Sequence, residues 1–157
     1  MVSYRYTKRK GVSFMEDHIK YFISFAAEVE AMIRSIRDRG VQHCALDQIN
    51  RSSTSIFANF AESQRSNTIP DCRNKLALSL KEAVETQSWI CFLDKINLID
   101  RDSYDVMSGW CADIIQKLDL AVFETYQNET PTQWLKILKE MSETKNKPKK
   151  QWGKKVN

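Results

Sequence analysis

Between Gln48 and Glu62 the chain reads QINRSSTSIFANFAE. Leu46, Ile49, Ser53, Ile56 and Phe60 recur there at steps of three and four, the spacing of one helix face. Ser52, Ser53, Thr54 and Ser55 nevertheless run consecutively, and such hydroxyls compete with the helical backbone for hydrogen bonds. A helix of this composition is marginal alone and needs tertiary neighbours to hold it. Its small hydroxyl residues let a second helix approach closely, while Arg51, Asn59 and Glu62 crowd the apolar line. The stretch therefore predicts a polar seam between two packed helices.

The rest of the chain supplies those neighbours. Ser13 and Glu16 have capping-box spacing, and Met15, Ile19, Phe22, Phe25 or Ala26, Val29, Ile33 and Ile36 form one long stripe ending before Gly40. The hydroxyl-rich helix is expected from about Ala45 to Gln64. Pro70 suits the first turn of a third helix reaching about Ile96, with Leu76, Leu80, Ala83, Val84, Gln87 and Cys91 on one face. Leu78, Trp89, Phe92, Leu93 and Ile96 spread onto its other sides, more apolar surface than one core requires. A fourth helix, capped by Asp100 or Asp102, carries Val106 or Met107, Trp110, Ile114, Leu118, Ala121 and Thr125 to about Tyr126. Ile115 and Val122 lie off its main line and hint at a second buried surface. Thr130 and Pro131 open a short helix to about Glu143, docked by Trp134, Leu135 and Leu138. The expected fold is all-α: an antiparallel up-down four-helix bundle with a short C-terminal helix and a basic tail. Its parts are a basic arm at 1–12, the bundle at 13–127, the short helix at 128–143 and a disordered tail at 144–157.

Composition bounds the function. Of 157 residues 42% are hydrophobic and 28% charged, as in an ordinary soluble domain, and four glycines and three prolines disfavour a turn-rich β fold. No apolar run approaches a membrane span, and Glu16, Asp17 and Lys20 interrupt any signal-peptide core, so a cytoplasmic protein is expected. Cys44, Cys72, Cys91 and Cys111 form no CxxC or CxxH pair, which argues against structural zinc and for small buried hydrophobes. His18 reads as a core or boundary residue, and His43 lies in a linker.

Charge is unevenly spread. The first twelve residues carry +4 through Arg5, Lys8, Arg9 and Lys10; from Thr144 onward Lys145, Lys147, Lys149, Lys150, Lys154 and Lys155 carry +6, with no acid in either segment. The whole chain is +4, so the body from Ser13 to Glu143 is −6. Lysines can displace counterions from phosphates, and Trp152 can stack on an unpaired base, which makes the two ends the candidate nucleic-acid contacts. A frayed arm and a solubilising tail are the plain alternatives.

The pattern Gln48-Ile49-x-Arg51-x-Ser53-x-Ser55-Ile56-x-Ala58-Asn59-x-Ala61-Glu62, with Leu76-Ala77-x-Ser79-Leu80-Lys81-Glu82-Ala83-x-Glu85-Thr86 on the next helix, resembles the bacterial four-helix-bundle proteins of the rRNA intervening-sequence type. Relatives of the accessory variability protein of diversity-generating retroelements belong to the same group. The resemblance covers about residues 14–126. It implies an up-down bundle that assembles as a ring-like homopentamer, without enzymatic activity. In the retroelement relatives it also implies binding of RNA or DNA and of a reverse transcriptase through basic surface. Phe57 stands where proline is frequent and Ser63 where glycine is frequent, and the chain beyond about residue 130 is extra to the usual core.

The remaining polar residues fit a structural role. Gln48, Arg51, Ser55, Asn59 and Glu62 on one helix, with Glu82 and Glu85 on the next, are expected to pair across the seam, since a buried charge needs a partner. The three glutamates lack the Glu-x-x-His spacing of bundle di-metal sites, so neither metal nor cofactor is expected. No GxxxxGK[ST], GxGxxG or GxSxG motif is present, and no catalytic residue is assigned. Two functional readings follow: a non-enzymatic oligomeric accessory protein that binds nucleic acid, or a homo-oligomeric protein-interaction scaffold that does not.

Overall fold

The computed structural model describes residues 11–127, with side chains described from Asp17 onward. Four helices follow one another: α1 (Gly11–Asp38), α2 (Cys44–Ser63), α3 (Ile69–Lys95) and α4 (Arg101–Gln127). The expected C-terminal helix and both basic ends lie outside these residues, apart from the last two residues of the arm. α1 begins at Gly11, so Ser13 sits inside the helix and is not its cap.

Each described turn has a local chemical cause. Gly40 holds φ +80, the left-handed conformation that ends α1, and its N–H donates to the Arg37 carbonyl at 2.8 Å. His43 caps α2, its Nδ1 accepting from the Ala45 N–H at 3.1 Å. Thr68 caps α3 through Oγ1, with Pro70 in the first turn where no N–H is needed. At the other end of α3, Asn97 takes φ 56 and the Leu98 N–H reaches back to the Leu93 carbonyl at 2.9 Å, a complete Schellman turn. Asp100 then caps α4, accepting from the Ser103 N–H at 2.7 Å. That bond holds the Asp100 carboxyl below its usual range.

Helices adjacent in sequence are adjacent in space, and α1 closes the bundle against α4. Their antiparallel sense is fixed by contacts between opposite ends. Arg37 near the end of α1 pairs with Asp47 near the start of α2, and Arg73 early in α3 donates to the Thr125 hydroxyl late in α4. The α1 stripe is buried as its spacing predicts, from Phe22 through Phe25, Ala26, Val29 and Ile33 to Ile36. Phe22 meets Phe60 of α2 edge to face, with ring centroids 5.0 Å apart. His18 rests half-buried near the same pair of rings.

The α3 face is rotated by about one position from the expectation: of the expected face only Leu76 and Ala83 are fully buried, while Leu80, Gln87 and Cys91 are half-buried. Leu76, Ser79, Ala83, Thr86, Ile90 and Leu93 are buried, and Val84, expected in the core, is 47% exposed. Ser79 and Thr86 can lie inward because carbonyls satisfy their hydroxyls, which a purely apolar periodicity cannot register. On α4 it is Met107 that is buried and Val106 that is exposed. Ile115 and Val122, off the main line of α4, are partly buried against the bundle core. Cys44, expected to be buried, is exposed in the first turn of α2, whereas Cys111 is fully buried, its thiol pushed up to about 12 by desolvation.

Candidate functional site

The polar seam lies where α2 and α3 make the most extensive helix contact among the described residues. Its buried layer is made of hydroxyls. The Ser79 Oγ donates to the Ile56 carbonyl across the helix gap at 2.7 Å. Thr86 Oγ1 and Ser52 Oγ lie 2.8 Å apart, and Thr86 also reaches the Glu82 carbonyl of its own helix. Ser52 in turn bonds to the Ile49 carbonyl. Small side chains admit close backbone approach, and bonds to carbonyls remove the cost of burying their oxygens.

The charged layer lies outside the hydroxyls. Arg51 donates to the Glu85 carboxylate at 3.1 Å and to Gln48 at 3.3 Å, and Glu85 is also within 3.5 Å of the Trp89 indole nitrogen. Glu62 pairs with Lys75, a residue absent from the expected set, and the contact raises the Lys75 pKa. Ser55 and Asn59 bond within α2, to the Arg51 and Ser55 carbonyls respectively. Glu82 keeps one buried carboxylate oxygen without a partner. The structure thus brings Gln48, Arg51 and Glu85 together, gives Glu62 a different partner, and joins Ser55, Asn59 and Glu82 to no cross-helix pair among the described contacts.

Ser79 and Thr86 are absent from the expected seam, and Ser52 is read in the sequence only as part of the hydroxyl run. The available signal was the seven-residue interval from Ser79 to Thr86, bracketing Ala83 and antiparallel to Ser52 and Ile56. Two residues a heptad apart stay on one helix face.

A second polar cluster lines the α1–α4 contact. Lys117 donates to Asp113 at 2.8 Å and holds its carboxyl below the usual range, with help from a hydrogen bond to Tyr21. Burial pushes the Tyr21 phenol up to about 12, reinforced by its hydrogen bond to Asp113. Trp110 packs between Tyr21 and Phe25, its buried indole nitrogen without a hydrogen-bond partner. Farther along, a cleft of about 500 Å³ opens between α1 and the start of α4 over Met32, Leu98 and Met107, with Glu28, Arg39 and Asp100 on its walls. Among the described residues no three His, Cys, Asp or Glu side chains converge as a metal site, and no helix is long and apolar enough to cross a membrane.

The candidate nucleic-acid contacts, Arg5, Lys8, Arg9, Lys10, Lys145, Lys147, Lys149, Lys150, Trp152, Lys154 and Lys155, all lie outside the described residues.

The family model described as 23S rRNA-intervening sequence protein matches residues 18–120, a span holding the whole α2–α3 seam. The chain belongs to that family. A solved structure described as a protein of unknown function from the S23 ribosomal protein family of Bacteroides thetaiotaomicron superposes with a TM-score of 0.66 at 27% identity. The alignment covers 69% of this chain and 96% of that one. A search of curated proteins gives no match. The match takes in the seam and most of each helix of the bundle, and the solved relative is itself described as a protein of unknown function.

Proposed function

We propose that this family member is a non-enzymatic, oligomeric accessory protein of the bacterial cytoplasm that binds RNA or DNA through its two basic ends. A reverse transcriptase of a diversity-generating retroelement is its proposed protein partner, and a pentameric ring its proposed assembly. The observation that carries the reading is the charge partition: ten uncompensated cations in the terminal segments, against a body of −6. An acidic body repels phosphate, so binding concentrates at the ends, and a ring would multiply weak tails through effective concentration. The polar side chains of the seam are largely occupied with one another, which leaves them a packing role.

The test is affinity for single-stranded RNA and duplex DNA as a function of salt. The full chain is compared with a variant in which Lys145, Lys147, Lys149, Lys150, Lys154 and Lys155 are changed to Gln. Each phosphate contact contributes about 0.7 to the log–log salt slope on single strands, so losing several flattens it by about 2–4. Equal affinity of the two proteins at low salt would refute the tail reading.

The alternative, a homo-oligomeric scaffold without nucleic acid, draws on Leu78, Val84 and Phe92 of α3 and Val106, Leu120 and Phe123 of α4, all exposed. Purification from the native host separates the two readings: nuclease-sensitive material favours the first, a stoichiometric protein alone the second.

A further inference from the structure

On the outer side of α4, Val106, Gly109, Leu120 and Phe123 fall on one line, with Asp113 and Gln116 between them. The steps alternate strictly between three and four residues, the heptad spacing that keeps one narrow helix face turned toward a partner helix. Val106 is 61% exposed, Leu120 57% and Phe123 53%; Gly109 and Gln116 are exposed and Asp113 is half-buried. Single apolar residues on a surface are ordinary, whereas three at this spacing form a seam without its other half.

Gly109 is an independent observation on the same line. It stands well inside α4, where glycine is a poorer helix former than alanine. Its φ is not positive, so no turn requires it. A Cβ built on it would meet no atom within 4 Å, so no described neighbour requires the missing side chain either. What a bare position on an exposed helix face does provide is close approach for another molecule.

We propose that this face of α4 pairs antiparallel with the same face of a second copy of the chain, about a two-fold axis between Ile114 and Ile115. Residues equidistant from that axis then lie opposite one another, and the line is self-complementary. Leu120 of each copy meets Gly109 of the other, large against absent, and Phe123 meets Val106. Asp113 meets Gln116, so the central layer is polar against polar and can hydrogen-bond across the axis. Asp113 arrives already paired with Lys117 of its own helix at 2.8 Å, and the layer brings no uncompensated charge. Asp102 meets Gln127 at the two ends. No apolar residue of the line faces a charge, which is what favours a second copy over an unrelated helix. A two-fold contact pairs two copies and cannot by itself close a five-membered ring, which needs a head-to-tail contact elsewhere on the surface. The pairing therefore goes beyond the ring and does not depend on nucleic-acid binding.

Cross-linking between full-length chains tests it, in a Cys44→Ser background because Cys44 is exposed. Val106→Cys and Phe123→Cys are made in separate chains, mixed, oxidised mildly and read by mass spectrometry of the linked peptides. The mixture should yield the 106–123 link, and neither variant alone should link to itself, because equal positions stand about 25 Å apart along the paired helices. Self-linked 106–106 or 123–123 peptides in place of the mixed one would mean a different pairing, and no link at all would leave the face to another occupant; either overturns the proposal. Gly109→Arg adds a side chain where the protomer has open space, so the helical circular dichroism should hold. Yield of the 106–123 link, with Gly109→Arg in both chains, should fall at least about tenfold. An unchanged yield would overturn the close approach at Gly109.

Discussion

The α2–α3 seam and the α1–α4 seam close the same bundle by opposite means. Between α2 and α3 the buried layer is Ser52, Ser79 and Thr86, each hydroxyl partnered, and the helices stay in contact along their length. Between α1 and α4 the layer is aromatic, with Tyr21 and Phe25 against Trp110, and contacts are far sparser. The cleft beside Met32 and Met107 lies along the same border. Small polar groups give close approach with each buried hydroxyl hydrogen-bonded, and only a Glu82 oxygen at their edge is left unpaired; the large rings leave the Trp110 indole nitrogen unpaired. The first seam is specified by size, the second by volume.

The largest expected effect tests the size argument. Ser79→Leu forces extra carbons into the buried α2–α3 contact and removes the bond to the Ile56 carbonyl, so overpacking and the lost bond together should cost about 2–3 kcal/mol. A denaturant melt that moves by less than about 0.5 kcal/mol would show that the seam is not close-packed there. A smaller effect contrasts the polar atoms. Thr86→Val is nearly isosteric but removes the bonds to Ser52 and to the Glu82 carbonyl, and should cost about 1 kcal/mol. Trp110→Phe removes an indole N–H that has no bond to lose, and relief of its desolvation offsets lost ring contact, leaving a change within about 0.5 kcal/mol. Reversal of that order would break the comparison.

The smallest effect is in pH. Tyr21 has its folded pKa raised from 10.0 to about 12, so its contribution is complete below pH 10 and lost as pH climbs through about 12. Asp113 has its folded pKa lowered from 3.8, so its contribution is present above that value and lost as pH falls below it. A tyrosinate absorbance titration should contain one late component that Tyr21→Phe removes.

How much of this was readable from sequence depended on what is buried. The α1 stripe from Phe22 to Ile36 is apolar throughout, and its spacing identified the inward face. Thr68, Asn97 and Asp100 end or begin helices by local chemistry, so boundaries could be placed within a residue or two. The α3 face was misplaced because Leu80 and Val84 look more buried than Ser79 and Thr86 when carbonyl partners on α2 are out of sight. The pairing of Glu62 with Lys75 was missed for a similar reason: thirteen residues separate them, and only the antiparallel register of α2 and α3 brings them together.

The central claim is that the seam shapes the fold while recognition resides in the basic ends. The most direct measurement is the salt dependence of RNA affinity for two full-length variants side by side: the six-lysine tail variant, and Arg51→Ala/Glu85→Ala in the seam. The account predicts that the tail variant flattens the salt slope by about 2–4 while the seam variant keeps the parental slope. A seam variant that loses binding while the tail variant retains it would contradict the account.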